Sequence, residues 1–170
     1  MKKIYITTPI YYVNDNPHIG TAYTTILADV LTRFYNITGT QSFMLTGSDE
    51  HGQKVQEAAD KREVSPIEHV DEYVLRFTEL WSKLNIKYND FIRTTENRHT
   101  DRVKDMLMEL WNREEIYLDE YEGLYSISEE RFVTDKEIEE GNFKQIIKLK
   151  EKNYFFKMSK YQQKLINHIH

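Results

Sequence analysis

Pro17-His18-Ile19-Gly20 stands between a loop and the start of a long helical pattern, and that position gives it chemical potential. A helix N-terminus offers unsatisfied N–H groups and the positive end of the helix dipole, a ready site for an anion. His18 adds a side-chain donor for phosphate. Gly20, having no Cβ, lets a flat ligand approach the backbone. A second polar cluster, Asp49-Glu50-His51, follows Thr46-Gly47-Ser48. Glu50 and His51 are metal-ligand types, but adjacent residues point to different faces, so cap and loop roles fit them better. Lys54 faces either phosphate or solvent. His168 and His170 are spaced wrongly to share one helical face.

These residues need a frame, and the hydrophobic pattern supplies one. Lys2 to Thr8 has the β-branched content of a short buried strand, with Pro9 expected to stop it. Ile19, Ala22, Tyr23, Ile26, Leu27, Val30, Leu31 and Phe34 recur at helical spacing, so one amphipathic helix is expected with that face buried. Ser42 to Gly47 reads as a second strand. Strand, long helical crossover and strand imply a right-handed βαβ unit with parallel strands. Ligands of such sheets bind beyond the carboxyl ends of the strands, where both polar clusters fall.

Further along, a helix is expected from His51 or Gly52 to about Arg62. Ser65-Pro66-Ile67-Glu68 is a capping box with Pro in the first turn, opening a helix that buries Val70, Tyr73, Val74, Phe77, Leu80, Trp81 and Leu84. Asp90 to Thr95 reads as a third strand, and Asn97 to Trp111 as a helix with Val103, Met106, Leu107, Leu110 and Trp111 inside. The texture then changes. Ile116–Tyr121 and Leu124–Ile127 flank Gly123 and read as a hairpin. Thr134 caps a short acidic helix ending at Gly141, Lys148–Phe156 is a strand, and Met158–His170 is helix-like.

Composition narrows the classes. The 170 residues carry a net charge of −5, which argues against nucleic-acid binding by bulk charge. Residues 142–170 hold seven Lys and one Glu, so this stretch is +6 and the remainder −11. A solvated Lys-rich face is the commoner meaning of such a run. The absence of Cys excludes disulfides and thiolate metal sites. No apolar run approaches the roughly 20 residues of a membrane span. The N-terminus reads as a strand rather than a signal peptide, so a soluble, cytoplasmic protein with no membrane partner is expected. Nothing in the pattern sets an oligomeric state.

Two segments taken together are specific: Pro9-Ile10-Tyr11-Tyr12-Val13-Asn14-Asp15-Asn16-Pro17-His18-Ile19-Gly20 and Thr46-Gly47-Ser48-Asp49-Glu50-His51-Gly52-Gln53-Lys54. They resemble the amino-terminal catalytic region of the methionyl-tRNA synthetase family, class I aminoacyl-tRNA synthetases. Phe91–Thr95 and Asn153–Tyr161 also look like stretches of that family, in the same order. The resemblance implies an α/β fold: the first half of a Rossmann-type parallel sheet with flanking helices over 1–113, then part of an inserted connective-peptide domain over 114–170. It implies methionine, ATP with Mg2+ and tRNA(Met) as substrates, in a two-step methionine–tRNA ligase reaction through methionyl adenylate. By position, Asn14, His18, Gly20 and Thr21 belong to the ATP site, and His18 and Thr21 to catalysis. Ile10, Tyr12 and Asp49 belong to the methionine site, with Asp49 facing the substrate ammonium.

Three departures accompany the resemblance. Thr21 stands where the family signature usually ends in a second His. Ser126 and Glu129, in Tyr125–Phe132, stand where related enzymes often carry two Cys, so a zinc-free connective peptide is expected. Lys157-Met158-Ser159-Lys160-Tyr161 spells much of the second class I signature, Lys-Met-Ser-Lys-Ser, but lies inside the insertion. The true loop is expected beyond His170, which makes the isolated chain an incomplete, inactive fragment. Two other readings fit parts of the pattern: a small nucleotidyltransferase with a His-x-Gly phosphate site, and an inert binding or folding module.

Overall fold

Strand β1 (Lys3–Tyr12) is followed by helix α1 (Ile19–Ile37) and strand β2 (Gln41–Asp49). Helices α2 (Gln53–Lys61) and α3 (Pro66–Lys83) lead to β3 (Asp90–Arg93), and α4 (Asn97–Asn112) follows. The second half contains β4 (Ile116–Ser126), β5 (Arg131–Val133), α5 (Asp135–Glu140) and β6 (Ile146–Phe156). A 3-10 turn (Met158–Tyr161) then leads into α6 (Gln162–Ile169). This computed structural model describes residues 3–129, 131–141, 143 and 145–169. Lys2, Glu130, Asn142 and His170, which figure in the expectations above, lie outside the described residues. The chain divides into two compact units, Met1–Val103 and Lys104–His170.

The first unit holds the parallel sheet, in the order β1-β2-β3. Its core joins Tyr11, Val13 and Met44 to Val70, Val74, Phe77 and Trp81 of α3. The Ser65 capping box forms as expected, and Pro66 occupies the first turn of α3. Leu84, however, lies just past the helix end and is 41% exposed.

Pro9 does not stop β1. The register passes from Thr7 opposite Leu45 to Ile10 opposite Gly47, so one extra residue is accommodated there as a bulge. β1 is an edge strand, where a residue without an N–H is tolerated.

Helix α1 turns out differently from its hydrophobic pattern. It buries Ala22, Thr25, Ala28, Asp29 and Thr32, whereas Tyr23, Leu27, Val30, Leu31 and Phe34 remain exposed. Small residues let the helix lie close on the sheet. Polar ones on that face are bonded: Thr25 Oγ1 meets the Tyr11 hydroxyl at 2.8 Å, and Asp29 accepts from Arg33 Nε and the Lys87 N–H. Helix α4 also departs from expectation, because none of its residues is buried.

The second unit is an antiparallel sheet in the order β5-β4-β6. Gly123 is not a turn: β4 runs straight through it and pairs with β6 over its whole length. A Cβ there would lie 2.9 Å from the Tyr121 ring and 3.2 Å from the Phe132 ring. The glycine makes room for that aromatic pair, whose centroids are 4.6 Å apart. Strand β6 starts at Ile146, two residues earlier than expected, and Thr134 caps α5 as expected. The helix-like end begins as a 3-10 turn before α6.

Candidate active site at the carboxyl edge of the parallel sheet

The bulge at Thr8–Pro9 decides which side chains of β1 face the core and which face away from it. Before it, Ile4, Ile6 and Thr8 point to the core side; after it, Tyr11 and Val13 do. Side chains alternate along a strand, so one extra residue exchanges the two faces for everything that follows. Tyr11 therefore packs against Phe77 and Trp81, with centroids 6.0 and 5.9 Å away. Ile10 and Tyr12 are turned to the opposite face, where they are 41% and 44% exposed. There the parallel register sets Tyr12 beside Asp49 and Ile10 beside Gly47. The three residues expected in the methionine site are thus brought onto neighbouring strand ends. Gly47 sits where any Cβ would lie 2.1 Å from the Ile92 carbonyl oxygen, so no side chain can stand there.

The adjoining wall is the start of α1. His18 is its N-cap, and Nδ1 accepts the Gly20 N–H at 3.1 Å. In the neutral ring this leaves Nε2 as the donor. Thr21 closes the box: Oγ1 accepts the His18 N–H at 3.1 Å and donates to the His18 carbonyl at 2.7 Å. A Cβ on Gly20 would lie 3.0 Å from Cε1 of His18. Gly20 thus makes room for the imidazole itself, before any ligand arrives. Asn14 is half-buried and lines a different recess, of about 380 Å³, shared with Asp15, Lys54, Lys61, Arg62 and His69. Lys54, read as facing phosphate or solvent, belongs to that recess.

Pattern reading missed the residues that hold these walls. Glu50 is 4% exposed, and Arg93 grips it with Nε at 2.7 Å and Nη2 at 3.0 Å. Ser48 and Thr95 also donate to its carboxylate, and its N–H donates to Thr94 Oγ1 at 2.9 Å. His51 lies 3.2 Å from the Thr94 carbonyl through Nε2. The turn carrying Asp49 is thereby fastened to the end of β3. Removing Arg93 would strand the buried Glu50 carboxylate, which is far costlier than leaving an exposed charge unpaired. The Glu50 carboxylate holds the Arg93 guanidinium above its ordinary pKa. No local pattern signals this cluster, because Glu50 and Arg93 are 43 residues apart in the chain.

The sequence departures also find places. Ser126 is fully buried, and its Oγ accepts the Glu129 N–H at 3.3 Å, a turn held by a neutral hydroxyl. Among the described residues no group of three or more His, Asp or Glu converges on a metal position. Lys157–Tyr161 lies in the second unit. Lys160 Nζ stands 3.2 Å from buried Glu115, and the Tyr161 hydroxyl donates to the same carboxylate.

A parallel sheet whose carboxyl edge joins a His-capped helix to a strand-end carboxylate belongs to the open α/β class, whose ligands bind at that edge. Residues 4–143 match the family model for class I (M) tRNA synthetases, and the chain belongs to that family. It is 49% identical over 167 residues to methionine–tRNA ligase of Campylobacter jejuni, covering 95% of this chain and 27% of that one. The structure superposes on Mycobacterium tuberculosis methionyl-tRNA synthetase in complex with methionyl-adenylate with a TM-score of 0.90, at 35% identity. That match covers 99% of this chain and 35% of the other. A LeuRS of Agrobacterium radiobacter K84, 18% identical with a TM-score of 0.81, shares the fold. The chain thus spans about a quarter of the length of the ligase from Campylobacter jejuni.

Proposed function

We propose that this chain forms the methionine- and ATP-binding half-site of a methionine–tRNA ligase. The observation that carries the reading is the strand-end pair of Tyr12 and Asp49 beside the His18-capped start of α1. Asp49 receives the ammonium of methionine, a charge-assisted contact that fixes the amino acid. The Ile10 backbone carbonyl accepts from the same ammonium, and the Tyr12 ring lines the thioether pocket. The carboxylate oxygen of methionine attacks the α-phosphorus of ATP, the bond to pyrophosphate breaks, and methionyl adenylate forms. His18 donates through Nε2 to the phosphate as charge develops, and Asn14 and Gly20 contact ATP. Preorganised donors of this kind are commonly the largest contribution to such a step. Thr21 acts by holding the His18 backbone.

ATP would be used as its Mg2+ complex. In the second step a terminal hydroxyl of tRNA(Met) attacks the activated carbonyl and AMP departs. The second unit is read as a zinc-free connective peptide, with Ser126 and Glu129 at the positions discussed above. No helix among the described residues is long and apolar enough to cross a membrane.

Methionine-dependent exchange of pyrophosphate into ATP by the full-length natural protein tests the reading. Exchange that requires methionine, and is not supported by other amino acids, is expected. Exchange without methionine would instead favour a general nucleotidyltransferase. A second reading, that residues 1–170 alone are inert, rests on the exposed apolar side of α1. It is checked by calorimetry: near-normal affinity of the isolated segment for methionine and ATP would contradict it.

A further inference from the structure

The loop from Val13 to Asn16 leads from β1 into the His18 cap, and both of its ends are tied to α3. At the first end, Nε2 of His69 lies 2.9 Å from the Val13 carbonyl oxygen, and both residues are fully buried. Nδ1 of the same ring lies 3.1 Å from Arg62 Nη1. A guanidinium can only donate, so Nδ1 accepts and Nε2 carries the proton given to Val13. The ring stacks on Tyr73 with centroids 4.3 Å apart. At the second end, Arg76 Nη1 donates to Asn16 Oδ1 at 2.6 Å. Glu72 joins the two ends by pairing with both Arg62 and Arg76. The Arg76 guanidinium also lies over the Tyr73 ring, 4.3 Å from its centroid.

A Leu or Phe would fill a buried helix position without any polar partner. His69 is a more demanding choice, because both of its nitrogens must be satisfied away from water. Here both are, one by the loop and one by Arg62. A displaced Val13 would leave a buried carbonyl and a buried ring N–H unpaired, so the position of the loop is over-determined.

We propose that His69 is a positioning residue of the substrate loop, fixing Val13 so that Asn14 and the His18 cap are held in place for the nucleotide. Arg76 fixes the other end through Asn16. The inference rests on the function proposed above. It extends to a residue outside the matched motifs, and it requires no contact between His69 and substrate.

The test uses the full-length natural protein with His69→Phe, His69→Gln and Arg76→Met. Phe keeps the ring on Tyr73 and removes both hydrogen bonds. Gln can restore a donor to Val13 and an acceptor for Arg62. Hydrogen exchange of the amides of residues 13–18 is measured together with the kinetics of pyrophosphate exchange. The expected result for His69→Phe is faster exchange of those amides and a kcat/KM for ATP lowered about 10- to 100-fold, the scale of a misplaced catalytic group. The KM for methionine should change little, because Ile10, Tyr12 and Asp49 are set by strand pairing. Gln should recover most of the loss, and Arg76→Met should give a smaller change in the same direction. Unchanged loop protection and ATP kinetics in His69→Phe would overturn the proposal, as would a Gln variant as impaired as Phe. If His69→Phe does not fold, half-buried Arg76 decides: a Met variant with wild-type loop protection and ATP kinetics overturns it. Wild-type protein lacking methionine-dependent exchange would refute the functional reading alone, since loop protection still reports on the clamp.

Discussion

Gly20 and Thr21 both act on His18, each in a way that a motif alone does not reveal. Thr21 replaces a second imidazole of the family signature with a hydroxyl that bonds both the N–H and the carbonyl of His18. Gly20 leaves the space into which the ring folds. Two effects of opposite sign follow for Gly20→Ala. Alanine is the better helix former, by less than the roughly 1 kcal/mol of a helix interior because Gly20 lies in the first turn, and this favours the fold. Its methyl group would press on Cε1 of His18 from 3.0 Å, tighter than ordinary contact, so the ring must move. A displaced ring also loses its bond to the Gly20 N–H, which offsets the gain, so the variant is expected to melt close to wild type while its methionine-dependent exchange rate falls about tenfold or more. A variant that loses stability and activity in parallel would show that the glycine serves the helix rather than the ring. The same local logic makes Gly47 intolerant of any side chain, although there the obstacle is the Ile92 backbone.

At the scale of elements, the strands and helices were largely legible because their periods are strong, and the errors share a cause. Sequence period reveals that a segment has two faces but not which face finds a partner. Helix α1 has a clear apolar stripe and a clear small-residue stripe, and the sheet took the latter. Pro9 and Gly123 are breakers by type. Both sit inside strands because their surroundings suit them, Pro9 at a bulge on an edge and Gly123 under two aromatic rings. The bulge mattered most for the candidate site, since it alone puts Tyr12 rather than Tyr11 on the exposed face beside Asp49. His69 and Glu50 were not legible because their roles depend on partners 56 and 43 residues away in the chain.

The corner between β4 and the last 3-10 turn yields a pH prediction at the same scale. The Tyr161 hydroxyl and, less strongly, Lys160 hold the Glu115 carboxyl below its usual 4.5, and the carboxylate holds the Tyr161 hydroxyl above its usual 10.0. A lowered carboxyl pKa gives stability that is present above 4.5 and lost as pH falls through the folded value. A raised phenol pKa gives stability that is present below 10.0 and lost as pH rises through the folded value. The 3-10 turn and α6 should therefore loosen at both extremes. Glu115→Gln should remove the acid-side loss and lower the protection of the Lys157 and Lys160 amides near neutrality. Hydrogen exchange of residues 157–161 between pH 3 and 11 checks this; a flat profile in wild type would refute it.

For the whole molecule, the decisive fact is apolar surface that the chain does not cover. Along α1, Tyr23, Val30, Leu31 and Phe34 are each about half exposed or more, and Ile19 and Ile37 nearly fully so. Soluble proteins seldom leave a contiguous stripe of this kind to water. The outer edge of β1 has no strand partner within the described sheet either. Curated relatives about four times as long have ample chain to cover both. The isolated 170-residue chain should therefore bind a hydrophobic dye and self-associate as its concentration rises. Leu31→Glu combined with Phe34→Lys should reduce both without lowering the melting temperature, since neither side chain is buried here. In a full-length protein that covers the stripe, the same pair should destabilise, because it would put charges into a packed interface. Opposite signs in the two contexts are the expected outcome, read by thermal melting and light scattering. Equal and small effects in both would mean that the stripe stays exposed in the complete protein, and that α1 is held by its small-residue face alone.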